Sequence, residues 1–352
     1  MRKALTFILM ITMAGTLAAC ANESAPAPKA EGPVTGTETK ESAVSDNGAV
    51  DYSRYYEGKT VNIYIPAKSG SSIDVTVRLE VDALQKTLGG TWVVTTDNTG
   101  NGTIAYENVI NSKPDGLTLL ATQNIALAYY GDVYDKFVLD YLTPVAAPTT
   151  STDWNYAVVP GKAPYDTFEE MVEYSKEHEL LCGIQNAANS HLMSVNLCQK
   201  YGINAMMVEA GSGSDKIVAM LGGTLDFCLI NSAQIKDYVE NGDLKVLLCL
   251  SPEERDEIFD VETEGDSDYT IAFTQTFLYM PKDTPEEIKE LVNRTIRDFS
   301  KDSELVESFA ALQNACTDYD LNGTLELQQT ICDGMLEGFQ NTGKDMSKYK
   351  TR

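Results

Sequence analysis

Apolar and polar positions follow a repeating order along this chain. Val61-Asn62-Ile63-Tyr64-Ile65 has the two-residue period of a half-buried strand. Pro66-Ala67-Lys68-Ser69-Gly70-Ser71-Ser72-Ile73-Asp74 interrupts it as a loop, after which Val77, Val81, Leu84 and Leu88 recur at helical spacing up to Gly89-Gly90. Ser71 and Asp74 have the spacing of a capping box for that helix. Trp92-Val93-Val94 opens a second strand. Beyond Gly100-Asn101-Gly102, the residues Ile104, Val109 and Ile110 predict a helix ended by Pro114-Asp115-Gly116, and Leu117-Thr118-Leu119-Leu120 reads as a third strand. Strands that alternate with helices need crossover connections, so this order predicts a parallel sheet covered by helices.

A second round begins after Thr149-Thr150-Ser151-Thr152. Tyr156 to Val159 is a strand, Phe168 to Glu177 a helix, Leu180 to Gly183 a strand and Ser190 to Tyr201 a helix. Ala205 to Val208 extends again, then Gly211-Ser212-Gly213-Ser214-Asp215 leads into a helical stripe of Ile217, Val218 and Leu221, stopped by Gly222-Gly223. Leu225, Phe227 and Leu229 alternate as a strand, and Lys245 to Leu250 is apolar enough to be a central one. Thr270-Ile271-Ala272 to Tyr279-Met280 resumes extended structure. Pro285 then starts a helix with Ile288, Leu291, Val292 and Ile296 on one face. Two such rounds predict an α/β chain of two lobes, each a mostly parallel sheet flanked by helices, with the ligand cleft between them. The expected division is 51–150 for the first part of lobe 1, 151–270 for lobe 2, and 271–352 for a return to lobe 1 with C-terminal helices.

The first 50 residues have a different character. Arg2 and Lys3 precede an apolar run from Ala4 to Met13 that is too short for a durable span, and Leu17-Ala18-Ala19-Cys20 resembles a bacterial lipoprotein signal box. Residues 1–19 are therefore expected to be a signal peptide and Cys20 the lipidated residue of an extracytoplasmic protein anchored to the outer face of the cell membrane. The alternative is an ordinary signal peptide with a stray cysteine. Residues 20–50 carry almost no large apolar side chain, which predicts a disordered tether.

Formal charge is -25, and loss of residues 1–19 removes the cations Arg2 and Lys3. That argues against nucleic acid and against electrostatic docking on anionic lipid, but not against an anionic ligand held in a local nest of backbone amides. Beyond Cys20 there are Cys182, Cys198, Cys228, Cys249, Cys316 and Cys332. None forms a CxxC, and His178 and His191 are the only histidines, so neither a metal nor a cofactor is expected. The cysteines read as small buried hydrophobes, with Cys316 and Cys332 as the one candidate disulfide pair.

Three loops share a composition of small polar residues placed just before a helix: Ser69-Gly70-Ser71-Ser72, Ala187-Ala188-Asn189-Ser190 and Gly211-Ser212-Gly213-Ser214. Helix N-termini present unpaired N–H groups and a partial positive charge, so each loop is either an ordinary cap or a place for a carboxylate. Asp215 pairs with Ser212 as a capping box. Glu209 either enters the cleft or is a solvated loop acid. Gln123 and Asn124, after the Leu117 to Ala121 strand, either line the cleft or sit in a surface loop.

Four segments together resemble the substrate-binding proteins of tripartite tricarboxylate transporters: Ile65 to Asp74, Ser190-His191-Leu192, Leu221 to Phe227, and Met280-Pro281-Lys282-Asp283-Thr284-Pro285-Glu286-Glu287-Ile288. The resemblance runs from about Val61 to Asp320. It implies a periplasmic-binding-protein-like fold of the second type, monomeric, that delivers a small organic carboxylate to integral membrane permease subunits. It also implies that the segment Ser69, Gly70, Ser71, Ser72 and Asp74, and the loop before Ser190, hold the carboxylate largely through backbone and ordered water. Two departures matter. The loop before Ser190 is Gln185-Asn186-Ala187-Ala188-Asn189, with amides on Gln185, Asn186 and Asn189 where the family is richer in glycine and serine. Ile230 stands where the family commonly has aspartate, which favours a plain carboxylate over an amino acid.

Catalysis has little support. Ser190 and His191 are adjacent on a helix and do not face each other, and Gly211-Ser212-Gly213-Ser214 is not a nucleophile elbow. His191 reads as a packing or capping residue. The expected function is an extracytoplasmic solute receptor without enzymatic activity, with Gln123, Asn124, Gln185, Asn186, Asn189, Ser190, Glu209, Gly211 and Ser212 joining the first loop around the ligand. A sensor or protein-binding lipoprotein of the same fold, and a hydrolase acting on a carboxylate-containing substrate, are the alternatives.

Overall fold

A computed structural model describes residues 52–123, 125–185, 189–251, 255–265 and 275–350. The signal peptide, Cys20, the tether, Asn124, Asn186 to Ala188 and the extended Thr270-Ile271-Ala272 all lie outside the described residues.

The first round of the sequence builds one sheet. Strand β1 (Thr60–Ile65) puts Val61, Ile63 and Ile65 fully inside, and α1 (Ser72–Leu88) covers it with Val77, Val81, Leu84 and Leu88. The chain turns back at Gly90, whose φ is +78° and where a Cβ would lie 2.5 Å from the Tyr56 carbonyl oxygen, so only glycine fits. Strand β2 (Thr91–Thr96), α2 (Thr103–Ile110), β3 (Thr118–Thr122), α3 (Ile125–Tyr130) and β4 (Leu142–Ala146) complete the round. The chain then crosses over, making a short strand β5 (Thr149–Ser151) on the way.

The second round consists of β6 (Asn155–Pro160), α4 (Phe168–Ser175), β7 (Leu180–Ile184), α5 (Asn189–Tyr201), β8 (Ala205–Glu209), α6 (Gly213–Leu221), β9 (Phe227–Asn231), α7 (Ser232–Glu240) and β10 (Leu244–Leu250). The chain returns to the first sheet as β11 (Phe277–Pro281). It ends through α8 (Glu286–Arg297), α9 (Ser303–Ala311), β12 (Asn314–Cys316), which pairs with β5, and α10 (Leu321–Asn341).

The strand orders are β2-β1-β3-β11-β4 and β8-β7-β9-β6-β10. These are the same arrangement. In each sheet a parallel trio (β2-β1-β3, β8-β7-β9) is extended by one strand that arrives from the other sheet, β11 or β6, and that strand runs antiparallel to both neighbours. The lobes also share a core. Tyr106, Leu120 and Tyr279 of the first lobe and Phe227, Leu229 and Leu192 of the second belong to one buried cluster, together with Ile331, Met335 and Phe339 of α10. This is the two-lobed α/β architecture that the alternation predicts.

Several local readings are corrected. Strand β10 is an edge strand, not a central one; its apolar residues are covered because Leu247, Leu248 and Leu250 pack into the shared core and Leu244 and Cys249 into a separate cluster, while the segment around Thr263 pairs with its backbone, Cys249 N donating to Glu262 O and Glu264 N to Cys249 O. The buried face of α6 is Lys216, Ile217 and Met220, while Val218 is 70% exposed and Leu221 47%. Ser71 does not close a capping box with Asp74. The Asp74 carboxylate instead accepts from Gly70 N at 2.8 Å and pairs with Arg78 at 2.8 Å. Cys316 and Cys332 form no disulfide, because Cys332 lies in the shared core and Cys316 packs on the separate cluster beneath α1 and α8.

The crossings between lobes are tied at Thr149. Its carbonyl accepts from Thr276 N at 2.9 Å and from Gln275 Nε2 at 2.7 Å, joining the outward and return segments. Its hydroxyl donates at 2.8 Å to Glu80 of α1, a carboxyl with 0% exposure whose other oxygen has no partner. Burial raises the Glu80 pKa from the ordinary 4.5 to about 8, with the Thr149 hydrogen bond acting the other way. Below the ordinary value both folded and unfolded chains hold this proton. Between there and about 8 only the folded chain does, so Glu80 costs stability progressively as pH rises through that window, at about 1.4 kcal/mol for each step of one in pH. Glu80→Gln is expected to leave the melting temperature near pH 5 almost unchanged and to raise it near pH 9, on the order of several degrees, as read by calorimetry at both pH values.

Candidate functional site

The loops that follow β1, β2, β3 and β7 meet at one cavity. β1, β2 and β3 finish at Ile65, Thr96 and Thr122, and β7, β8 and β9 at Ile184, Glu209 and Asn231. In open α/β sheets the crevice beyond the carboxyl ends of the strands is where ligands bind. Here it is a cavity of about 620 Å³. Its walls come from both lobes: Pro66 and Ala67 after β1, Asn98 and Asn101 after β2, Thr122 and Gln123 at the end of β3, and Gln185 and Asn189 after β7. Tyr106 joins them from α2, with Leu127, Ala128 and Val133 as an apolar patch.

No Asp, Glu, Lys or Arg lines this cavity among the described residues. Its polar groups are side-chain amides, a threonine hydroxyl and a phenol. Burial pushes the Tyr106 hydroxyl up to about 12, with a Thr122 hydrogen bond pulling it back, so the phenol is neutral and can donate. The chemistry available is neutral hydrogen bonding over a partly apolar floor, in a protein of strongly negative overall charge.

The loops after β1 and β2 touch closely. Gly102 has φ +86°, and a Cβ there would lie 2.5 Å from Pro66 Cβ and 3.1 Å from its carbonyl oxygen. Asn101 precedes it in the left-handed region at φ 57°, which asparagine tolerates better than most residues.

The residues singled out from sequence are distributed unevenly. Gln123, Gln185 and Asn189 line the cavity, and Asn124 and Asn186 lie outside the described residues. Ser69, Gly70 and Ser72 are exposed on the turn after β1 and Asp74 is buried beneath it, holding that turn through Gly70 and Ser69 rather than facing the cavity. The Ser71 hydroxyl oxygen is buried there without a hydrogen-bond partner. Ser190 sits in the first turn of α5 and accepts a hydrogen bond from Lys216 Nζ at 3.0 Å. Glu209 is exposed and accepts from Gly211 N at 2.9 Å, and Ser212 is bound to Asp215, N to Oδ2 at 2.9 Å and Oγ to Oδ2 at 2.6 Å. Gly211 and Ser212 are thus part of the α6 cap. His191 leaves Nδ1 buried and unpaired; burial pushes its pKa down, Glu209 opposing and Lys216 reinforcing that shift.

Asn98, Thr122, Tyr106 and Lys216 were not anticipated. The first two follow or close strands whose ends the sequence pattern locates, so counting outward from β2 and β3 would have found them. Lys216 stands four residues before Met220, on its helical face.

Two sheets of matched order, joined by two crossings around one cleft, define a bilobal solute-binding protein of the periplasmic-binding-protein type II class. Residues 76–330, well over half the chain, match the family described as TctC, tripartite tricarboxylate transporter family receptor. The chain belongs to that family, whose members are extracytoplasmic solute receptors. It is 28% identical over 260 residues to a UPF0065 protein of Bordetella bronchiseptica, covering 72% of this chain and 77% of that one. Among solved structures it resembles a TctC solute-binding protein from Polaromonas without ligand (21% identity, TM-score 0.65, 82% of this chain and 99% of the other). It also resembles Rpa4515 of R. palustris with adipate (17%, 0.63, 81% and 97%) and MatC of Rhodopseudomonas palustris with bound malate (21%, 0.60, 80% and 98%).

Gly102→Ala forces a side chain against Pro66 in an unfavourable backbone conformation, at about 1 kcal/mol or more. The variant is expected to melt about 2–4 °C or more below the parent in differential scanning calorimetry.

Proposed function

We propose that this protein captures a small organic carboxylate in the cleft and delivers it, without chemical change, to integral membrane permease subunits. The observation that carries the reading is the cavity at the strand ends. It draws hydrogen-bonding groups from both lobes, places no acid in its lining among the described residues, and has room for a ligand of several carbons. A carboxylate there meets neutral donors and no repelling carboxylate. The Ser71 hydroxyl on the loop after β1 remains a donor without a protein partner. Malate and adipate in two proteins of similar fold support the same ligand class.

The lobes supply a reason for reception as opposed to catalysis. Ligand-bearing loops from two bodies joined by two crossings can close around a solute and open again, and closure is what a permease can distinguish from the empty receptor. Lipid on Cys20 would keep such a receptor at the membrane, with residues 21–50 as the reach to its permease.

A thermal-shift panel on the chain from residue 51, covering succinate, L-malate, adipate, citrate and benzoate, tests the reading. At least one acid at 1 mM is expected to raise the melting temperature by about 3 °C or more, as micromolar binding requires. No shift from any of them would count against carboxylate capture, and appearance of a new species in the NMR spectrum of the bound acid would count against a pure receptor. For the anchor, Cys20→Ser in the producing cell is expected to move the protein from the membrane fraction to the soluble one.

A further inference from the structure

A lysine is buried behind the cleft where physical chemistry disfavours it. Lys216 is 3% exposed, and its ammonium has one hydrogen bond, to Ser190 Oγ at 3.0 Å, and no ion pair among the described residues. An ammonium offers three donors, and removal from water costs far more than one bond to a hydroxyl returns. The position adds to the cost. Lys216 is in the opening turns of α6 and bonds the opening turn of α5, so it faces the positive ends of two helices, where an anion is favoured and a cation is not. Glu209 attracts it from a distance but is exposed and bound to the backbone of Gly211. Burial accordingly pushes the Lys216 pKa down, with Cys228, Cys182 and Glu209 opposing the shift.

Each of these disadvantages is removed by an anion at the same place. Because Ser190 Oγ accepts from Lys216, its own proton is left to donate outward, and Asn189, the preceding residue, lines the cavity. A hydroxyl that accepts from an ammonium is polarised into a better donor. We propose that Lys216 is the counter-charge for one carboxylate of the ligand, which docks at the N-terminus of α5 on the Ser190 hydroxyl with the ammonium immediately behind it. The inference rests on the carboxylate reading of the cleft and specifies it. One anionic group is bound by lobe 2, and the rest of the ligand faces the neutral amides Asn98, Asn101 and Gln123 of lobe 1.

The test is a cycle between the charge of the ligand and the charge of the lysine. The full chain in detergent is titrated calorimetrically with the tightest-binding acid of the panel above and with its full amide, for the parent and for Lys216→Met. The parent is expected to prefer the acid by about 100-fold, and Lys216→Met to erase most of that preference by weakening the acid about 30- to 100-fold while leaving the amide within about threefold. Without ligand, Lys216→Met is expected to melt at or above the parent, since an uncompensated buried charge is gone. Ser190→Ala, which keeps the lysine and folds independently of the first change, is expected to weaken the acid about tenfold. Retention of the acid preference in Lys216→Met overturns the assignment and leaves the carboxylate reading standing. Equal loss of acid and amide also overturns it, by pointing to general damage. A parent that binds no acid overturns both.

Discussion

The pairing of each sheet with one strand from the other lobe is what the remaining structure depends on. Without β11, strands β3 and β4 would face each other across an open row of backbone donors and acceptors, and the same holds for β9 and β10 without β6. Neither sheet can be finished by its own stretch of sequence, so the chain must cross twice. The two crossings pass side by side at Thr149, and α10 lies over both lobes in the shared core. Relative motion of the lobes is therefore confined to a narrow waist, while the trios of parallel strands remain rigid platforms for the loops at their ends.

Several buried polar groups lie at that crossing and at the helix starts beyond the strand ends. Glu80 and Thr149 sit at the waist, where one unsatisfied carboxyl oxygen is kept inside the protein. Ser71, Ser190 and Lys216 sit where the helices begin, on the loops that the platforms carry. Other buried polar side chains lie elsewhere in the described core and are paired: Asp256 accepts from the Tyr156 hydroxyl, Asn293 donates to the Val145 carbonyl and Gln328 accepts from the Tyr279 hydroxyl. Unpaired polar groups cost stability, and two of those in the described core, the second Glu80 oxygen and the Ser71 hydroxyl, lie at the crossing and on the loop after β1.

The fold was legible because hydrophobic period reports which face of an element is buried. Strand and helix alternation located the elements of both parallel trios, and Pro285 located the start of α8. What period does not report is lateral order. Lys245 to Leu250 reads as central because its residues are apolar, yet a covered edge demands the same composition. The site was legible in part for a related reason. Gln123, Gln185 and Asn189 follow strand ends and could be reached by counting, whereas Ser69 to Ser72 share the composition of a ligand loop but form a turn held by Asp74. Lys216 escaped because charge suggests a solvated face. On α6 the expected stripe of Ile217, Val218 and Leu221 is buried only at Ile217, and the buried face is completed by Lys216 and Met220.

The buried lysine also bears on how so acidic a protein would hold an anion. Net charge acts through solvent, where ions screen it within about 8 Å at physiological ionic strength. A buried ammonium acts across a few ångströms of low-polarisability protein, where screening is weak and the interaction is correspondingly strong. The surface carries the many carboxylates that keep the chain soluble, and none of them lines the cavity among the described residues. The sign of the whole and the sign of the site are therefore separable, and a ligand in the cavity would meet side-chain amides in its lining and not the acidic surface.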